Sequence, residues 1–175
     1  FFENGGQRCF IARVVSPDER AAVAADFEGD AEVAGERRGL AALALDDYAE
    51  ASIVHAPGRS DRATVDAVIK HCEEHRFRFA VIDPPPGPAD LNSLDPRAHH
   101  DSSYAAFYSP WLVTTNPLDG SALKVPPGGA VGGIYARSDI ERGVHKAPAN
   151  ETVRGITGLD REITKAEQEV LNPRG

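Results

Sequence analysis

Two short apolar runs, residues 52–56 (SIVHA) and 77–82 (FRFAVI), bracket a stretch in which Val65, Val68, Ile69 and Cys72 recur at i, i+3, i+4 and i+7. That spacing puts all four on one stripe of a helix. A strand, a long amphipathic helix and a second strand in alternation imply that the helix is a crossover connection and that the strands run parallel. The pattern therefore predicts an α/β fold with a mainly parallel sheet flanked by helices on both faces. Pro57-Gly58 closes the first strand, Ser60 is expected to cap the helix, and His75 stands near its end. Pro84-Pro85-Pro86-Gly87 then stops the second strand rigidly.

The remaining chain supplies further elements. Residues 8–15 (RCFIARVV) read as a buried strand. Ser16, Pro17 and Glu19 read as a capping box over a short Ala-rich helix ending near Asp26. Residues 27–35 read as a loop, and 36–47 resume a helical pattern through Leu40, Leu43 and Ala44. Leu91 and Leu94 suggest a partial helix within 89–103. Residues 104–115 form an aromatic, β-branched run broken by Pro110, which predicts an edge strand or a bulge. Asp119-Gly120 marks a turn. Val131, Ile134 and Tyr135 define another helix, with Gly132 and Gly133 allowing close approach of a second element and Gly143 as its stop. Arg137–Glu141 and Asp139–Arg142 have the spacing of ion pairs on its exposed side. Thr164 and Glu167 form a second capping box, over a helix that Asn172-Pro173 ends.

Composition bounds the function. At 175 residues, 41% hydrophobic and 26% charged, the chain suits one globular domain, residues 1–175. A net charge of −8 with pI near 5.2, and Arg37-Arg38 as the longest basic run, argues against nucleic acid as a partner. No apolar run reaches the roughly 18 residues of a membrane span, and the N-terminus lacks signal-peptide order. Cys9, in a predicted strand, and Cys72, on the helical stripe, read as buried thiols of a reducing compartment and not as a disulfide. The chain contains no Met and opens within what reads as a motif, so it is expected to be a piece of a larger protein.

Five constellations could carry chemistry. His71 and His75, at i, i+4, have the spacing of helix-borne zinc ligands, but Cys72 stands where a water-activating Glu would follow the first His. His55 and Asp83 with Ser102, Ser103 or Ser109 could form a nucleophilic triad, although no G-x-S-x-G elbow is present. Residues 128–133 (GGAVGG) open a helix as a phosphate loop would, but without its spacing, lysine or hydroxyl. His99-His100-Asp101 reads as solvated surface, and Tyr104, Phe107, Tyr108 and Trp111 read as core or subunit contact. None is complete, so neither metal nor cofactor is expected.

The string IYARSDIERGVHKAPANE at 134–151, followed by VRGITGLDREITKAEQEVLNPRG at 153–175, resembles the tail sheath protein of contractile phage tails and related injection systems. FFENGGQRCFIARV from Phe1, HCEEHRFRFAVIDPP from His71 and DSSYAAFYSPWLV from Asp101 agree with it in order. Gly129-Ala130 stands where that family often has Gly-His, and Ser109 where a second Tyr is usual. The resemblance implies a fold similar to the subtilisin-like domain of tail sheath proteins, with the N-terminal segment and C-terminal domain of the subunit lying outside this chain. It implies a structural role: subunits polymerise in the cytoplasm of the producing bacterium around an inner tube, contact baseplate and cap proteins, and contract to drive the tube through a target envelope without direct membrane insertion. The alternative is a hydrolytic enzyme of the same α/β fold. The signature positions, Tyr135, Arg137, Asp139, Arg142, Gly143, Lys146, Pro148, Asn150 and Glu151, are candidate subunit contacts by that resemblance.

Overall fold

A computed structural model describes residues 1–16, 20–30, 37–87 and 94–174. Strands β1 (Ile53–His55), β2 (Phe79–Ile82) and β3 (Ala105–Phe107) form a parallel sheet in that order, and α3 (Arg62–His75) is the crossover between the first two. Asp61 caps α3 in place of the expected Ser60, its Oδ1 accepting from the Thr64 amide at 3.0 Å. A carboxylate and a hydroxyl compete for the same orphan amides, and the residue adjoining the first turn wins.

Pairing register decides which helix covers which face. Ile53 aligns with Phe79, Val54 with Ala80 and His55 with Val81, so successive side chains point to opposite sides. Val54, Ala80 and Ile82 meet Val65, Val68, Ile69 and Cys72 of α3, and this cluster, with Leu40, is the main core. The opposite face, carrying Ile53, His55, Phe79 and Val81, receives α4 (Gly128–Arg142). The sheet is covered on both sides, as the alternation of elements requires.

A second sheet was not foreseen. Residues 104–115 divide at Pro110 between two sheets: β3 joins the parallel one, while β4 (Leu112–Thr115) pairs antiparallel with β5 (Ala122–Val125) and β6 (Gly158–Leu159). The proline that marked an edge or bulge therefore stands at a change of sheet. Asp119-Gly120 makes the β4–β5 turn, the Asp119 carboxylate accepting from the Ser121 amide at 2.9 Å.

Other expectations change in detail. Residues 8–15 alternate between half-covered and exposed, yet pair in no ladder among the described residues. The run touches the body through Phe10, edge-on against Tyr48 at 5.3 Å, and through an Arg8–Glu50 ion pair at 2.8 Å. Ile11 is 90% exposed and Cys9 is exposed, so only Cys72 is the buried thiol expected. A β-prone sequence becomes a strand only when another strand's amides face it. The capping box over Pro17 and Glu19 lies outside the described residues, and the following helix, α1 (Ala24–Glu28), starts later than expected. Of the expected helix over 36–47, the described residues from 37 on hold α2 at Gly39–Leu43 and a 3-10 turn at Asp46–Tyr48. Leu91 lies outside the described residues, while Leu94 is buried before a 3-10 turn at Pro96–Ala98. Helix α5 (Lys165–Leu171) has its capping box: Thr164 Oγ1 accepts from the Glu167 amide and Glu167 Oε2 from the Thr164 amide. Among the described residues, no helix is long and apolar enough to cross a membrane.

Candidate functional site

The signature helix presents its small residues and one arginine to the interior. Gly132, Gly133, Ile134, Arg137 and Ser138 are buried, and the 3-10 turn Phe2–Asn4 at the chain's start lies across them. A methyl group at Gly133 would collide with the Phe1 carbonyl oxygen and approach Asn4 Cβ to 2.8 Å, so close approach is the glycine's purpose there.

Arg137 is 6% exposed. One guanidinium nitrogen donates to the Asn4 carbonyl at 3.1 Å; the other donates to the Thr152 carbonyl at 3.1 Å and to Glu151 Oε2 at 3.2 Å. Lys146 Nζ donates to Glu151 Oε1 at 3.0 Å. The Lys146 hydrogen bond first, and Arg137 after it, hold the Glu151 carboxyl below its usual range despite some desolvation. Asn4, 3% exposed, completes the knot: its Oδ1 accepts from the Arg154 amide at 2.8 Å and its Nδ2 donates to the Arg154 carbonyl at 3.1 Å. One amide side chain thus imitates a strand partner for residue 154.

The expected Arg137–Glu141 pair is therefore replaced by an inward clamp, and no ion pair joins Asp139 to Arg142 among the described residues. The spacing permitted both pairs, but Arg137 lies three residues after Ile134 and four after Gly133, on the buried stripe itself. Partial burial raises the Asp139 carboxyl above its ordinary range. Of the signature residues, Arg137, Lys146 and Glu151 converge. Gly143 ends α4 at φ 89°, its amide donating to the Asp139 carbonyl. Arg142 and Asn150 are exposed, and Pro148 lies in the loop between Lys146 and Glu151. Tyr135 sits apart on the sheet face, its hydroxyl 2.9 Å from that of Tyr108, where burial and this bond push its phenol up. Asn4, Thr152 and Arg154 belong to the site without having been singled out; Asn before two glycines, in a chain otherwise β-prone there, was the available signal.

A second polar centre lies at the carboxyl ends of β1 and β2. Asp83, 1% exposed, accepts from the Gly58 amide through Oδ2 and from the Gly128 amide through Oδ1, each at 2.8 Å. The N-terminus of α4 is thereby occupied by a carboxylate of the same chain, and the glycine run serves packing: a methyl at Gly128 would strike the His55 ring. His55 does meet Asp83, with Nε2 at 3.4 Å from Oδ2, while its Nδ1 lies 3.0 Å from the Val81 carbonyl. Both ring nitrogens thus face acceptors of the fold, and among the described residues neither is bonded to a serine hydroxyl. Ser102 instead donates to Glu73 at 2.7 Å. Ser109 lines, with Asp83, a cleft of about 740 Å³ beside β3.

His71, the first of the two histidines of α3, is also committed. Arg78, 2% exposed, donates to His71 Nε2 at 2.6 Å and to the Leu43 and Tyr48 carbonyls at 2.6 and 3.0 Å. His71 accepts, so the proton of its neutral ring is on Nδ1, and the lone pair a metal would need is taken. Desolvation, then His75 and Arg78, push its pKa down to about 4. Among the aromatics, Trp111 Nε1 donates to the Pro84 carbonyl at 3.0 Å, and Tyr104 and Phe107 pack on the main core. His99 and Asp101 are exposed, as expected of solvated surface; His100 turns inward, 3.0 Å from Asp66.

Comparison with known proteins places this architecture. The family described as the phage tail sheath protein central domain matches residues 29–175. A putative prophage major tail sheath protein of Pseudomonas aeruginosa (strain UCBPP-PA14) is 29% identical over 144 residues, covering 77% of this chain and 36% of that protein. Among solved structures, a chain of the anti-feeding prophage helical sheath in its contracted state superposes with a TM-score of 0.67 at 27% identity, covering 99% of this chain and 43% of its own. A chain of the sheath complex of an extracellular contractile injection system, also contracted, gives 0.57 at 30% identity, covering 74% of this chain and 34% of its own. A chain of the anti-feeding prophage baseplate gives 0.51 at 29% identity, covering 70% and 32%. This chain thus spans roughly a third to two-fifths of the length of these relatives.

Proposed function

The chain belongs to the phage tail sheath protein central domain family, and from that premise we propose that residues 1–175 form one domain of a sheath subunit that polymerises around an inner tube and contracts. The observation that carries this reading is the match to a contracted helical sheath over nearly the whole chain. In such an assembly many copies exchange one set of contacts for another, and work comes from a bistable lattice. The domain's part is to stay rigid while its contacts change. The Arg137 clamp suits that part, because it ties the N-terminal turn, α4 and the loop at 143–154 into one body.

On this reading the partners are other sheath subunits, the inner tube protein and baseplate and cap proteins, and the particle assembles in the cytoplasm of the producing bacterium. We read the subunit as structural, not catalytic: His55 and Asp83 tie β1, β2 and α4 together, and among the described residues no serine hydroxyl is bonded to either. The signature divides by position. Arg137, Lys146 and Glu151 hold the domain's interior, while exposed Arg142 and Asn150 are subunit contacts. Electron microscopy of the intact protein tests the proposal. Tubes or stacked rings are expected; dispersed particles under all assembly conditions, or a hydrolase activity lost in His55→Ala, would overturn it.

A further inference from the structure

Asn4-Gly5 is the one Asn-Gly pair in the chain. In an open chain this pair is chemically weak, because a residue without a side chain lets its amide nitrogen swing back onto the preceding Asn Cγ. The fold blocks that swing in three ways. The Gly5 amide donates to the Phe2 carbonyl at 3.0 Å. The Asn4 side chain is fastened at both ends to Arg154, at 2.8 and 3.1 Å. Arg137 holds the Asn4 carbonyl from within, and its aliphatic stem lies so close to Gly5, at φ 109°, that a methyl there would stand 2.6 Å from Arg137 Cβ.

We propose that Asn4 is a modification site kept silent by the Arg137–Asn4–Arg154 clamp: it deamidates with water only when the clamp opens, and the product prevents reclosure. In the step, hydroxide takes the Gly5 amide proton and the nitrogen bonds to Asn4 Cγ. The Cγ–Nδ2 bond breaks and Nδ2 leaves as ammonia, taking its extra proton from water. Water then opens the five-membered imide at either carbonyl, giving aspartate or isoaspartate. One water is consumed, one ammonia is released, and nothing is oxidised or reduced.

The product does not fit. An aspartate can accept from the Arg154 amide but has no hydrogen to offer the Arg154 carbonyl, so two acceptor oxygens would face each other in a buried place. An isoaspartate adds a methylene to the main chain inside a turn already packed against Arg137 and Gly133. Each opening that goes on to react is thereby recorded as one added negative charge and a turn held open.

The test follows deamidation at Asn4 by peptide mapping and mass spectrometry, at mildly alkaline pH, in the folded protein, in guanidinium chloride and in Arg137→Ala. A reaction gated by local opening runs in proportion to the open population, so the folded protein should react more slowly than the unfolded chain by about tenfold or more. Folded Arg137→Ala should move toward the unfolded rate. Equal rates in the folded and unfolded wild type, or an unchanged rate in a folded Arg137→Ala, would overturn the proposal. Should that variant fail to fold, hydrogen exchange of the Arg154 amide in wild type under graded sub-denaturing guanidinium supplies the second measurement. Exchange and deamidation should accelerate together; acceleration of exchange alone would overturn it.

Discussion

Arg137 and Arg142 are five residues apart on one helix, yet they should behave oppositely. Replacing Arg137 by Ala leaves the Asn4 and Thr152 carbonyls without their donor and Glu151 without one of its two cations. A loss of about 2–4 kcal/mol is expected, as for other buried groups robbed of a charged partner. Arg142 is exposed, and its replacement by Ala should cost less than about 1 kcal/mol. Chemical denaturation of both variants checks this; similar midpoints would mean the clamp carries no weight. His71 gives a pH dependence. Its folded pKa of about 4 lies below the unfolded value of 6.5, so the neutral ring's contribution is full above 6.5 and is lost as pH falls toward 4. The protein should therefore weaken over that window by up to about 3 kcal/mol. In His71→Gln, whose amide oxygen can still accept from Arg78, the loss measured by urea unfolding from pH 7 to 4 should be smaller.

The two adjacent glycines of α4 are a test of helix seating. At Gly132 an added methyl meets Phe1 and Ile53 only at ordinary distances of 3.8 and 3.9 Å, whereas at Gly133 it strikes the Phe1 main chain. Gly132→Ala should be neutral or stabilising by up to about 1 kcal/mol through helix propensity. Gly133→Ala should be destabilising by about 1–3 kcal/mol, since a carbonyl fixed in a turn cannot step aside like a flexible side chain. Thermal unfolding distinguishes them, and equal shifts would mean that the N-terminal turn does not rest on α4. The end of α4 at Gly143 was legible because a glycine stop acts locally. The rotation of α4 about its axis was less so: charge spacing suggested an outward Arg137, while the apolar stripe through Ile134 included it.

For the whole molecule, net charge and surface set how copies meet. The exposed face of α3 carries Arg62–Asp66 and Lys70–Glu74 pairs, and each copy bears a net charge of −8. Like-charged bodies repel, and salt screens that repulsion over about 10 Å. The 175-residue chain should sediment as a monomer at micromolar concentration and low salt, with any association growing as salt is added. A discrete hexamer or a polymer at low salt would show that the surfaces of this chain drive assembly by themselves.

The order of strand, crossover helix and strand was written in the sequence, because hydrophobic period and turn chemistry are properties of neighbouring residues. So were the core stripe of α3, the Thr164–Glu167 cap and the resemblance carried by residues 134–151. The partners of each polar group were decided only in three dimensions. Residues 8–15 have strand composition but no facing ladder among the described residues, residues 104–115 split between two sheets, and Arg137 turns inward because Asn4, far away in sequence, and Thr152 bring carbonyls to it. A side chain's period can be read along the chain; the donor or acceptor that satisfies it depends on which segments the fold brings within hydrogen-bond reach.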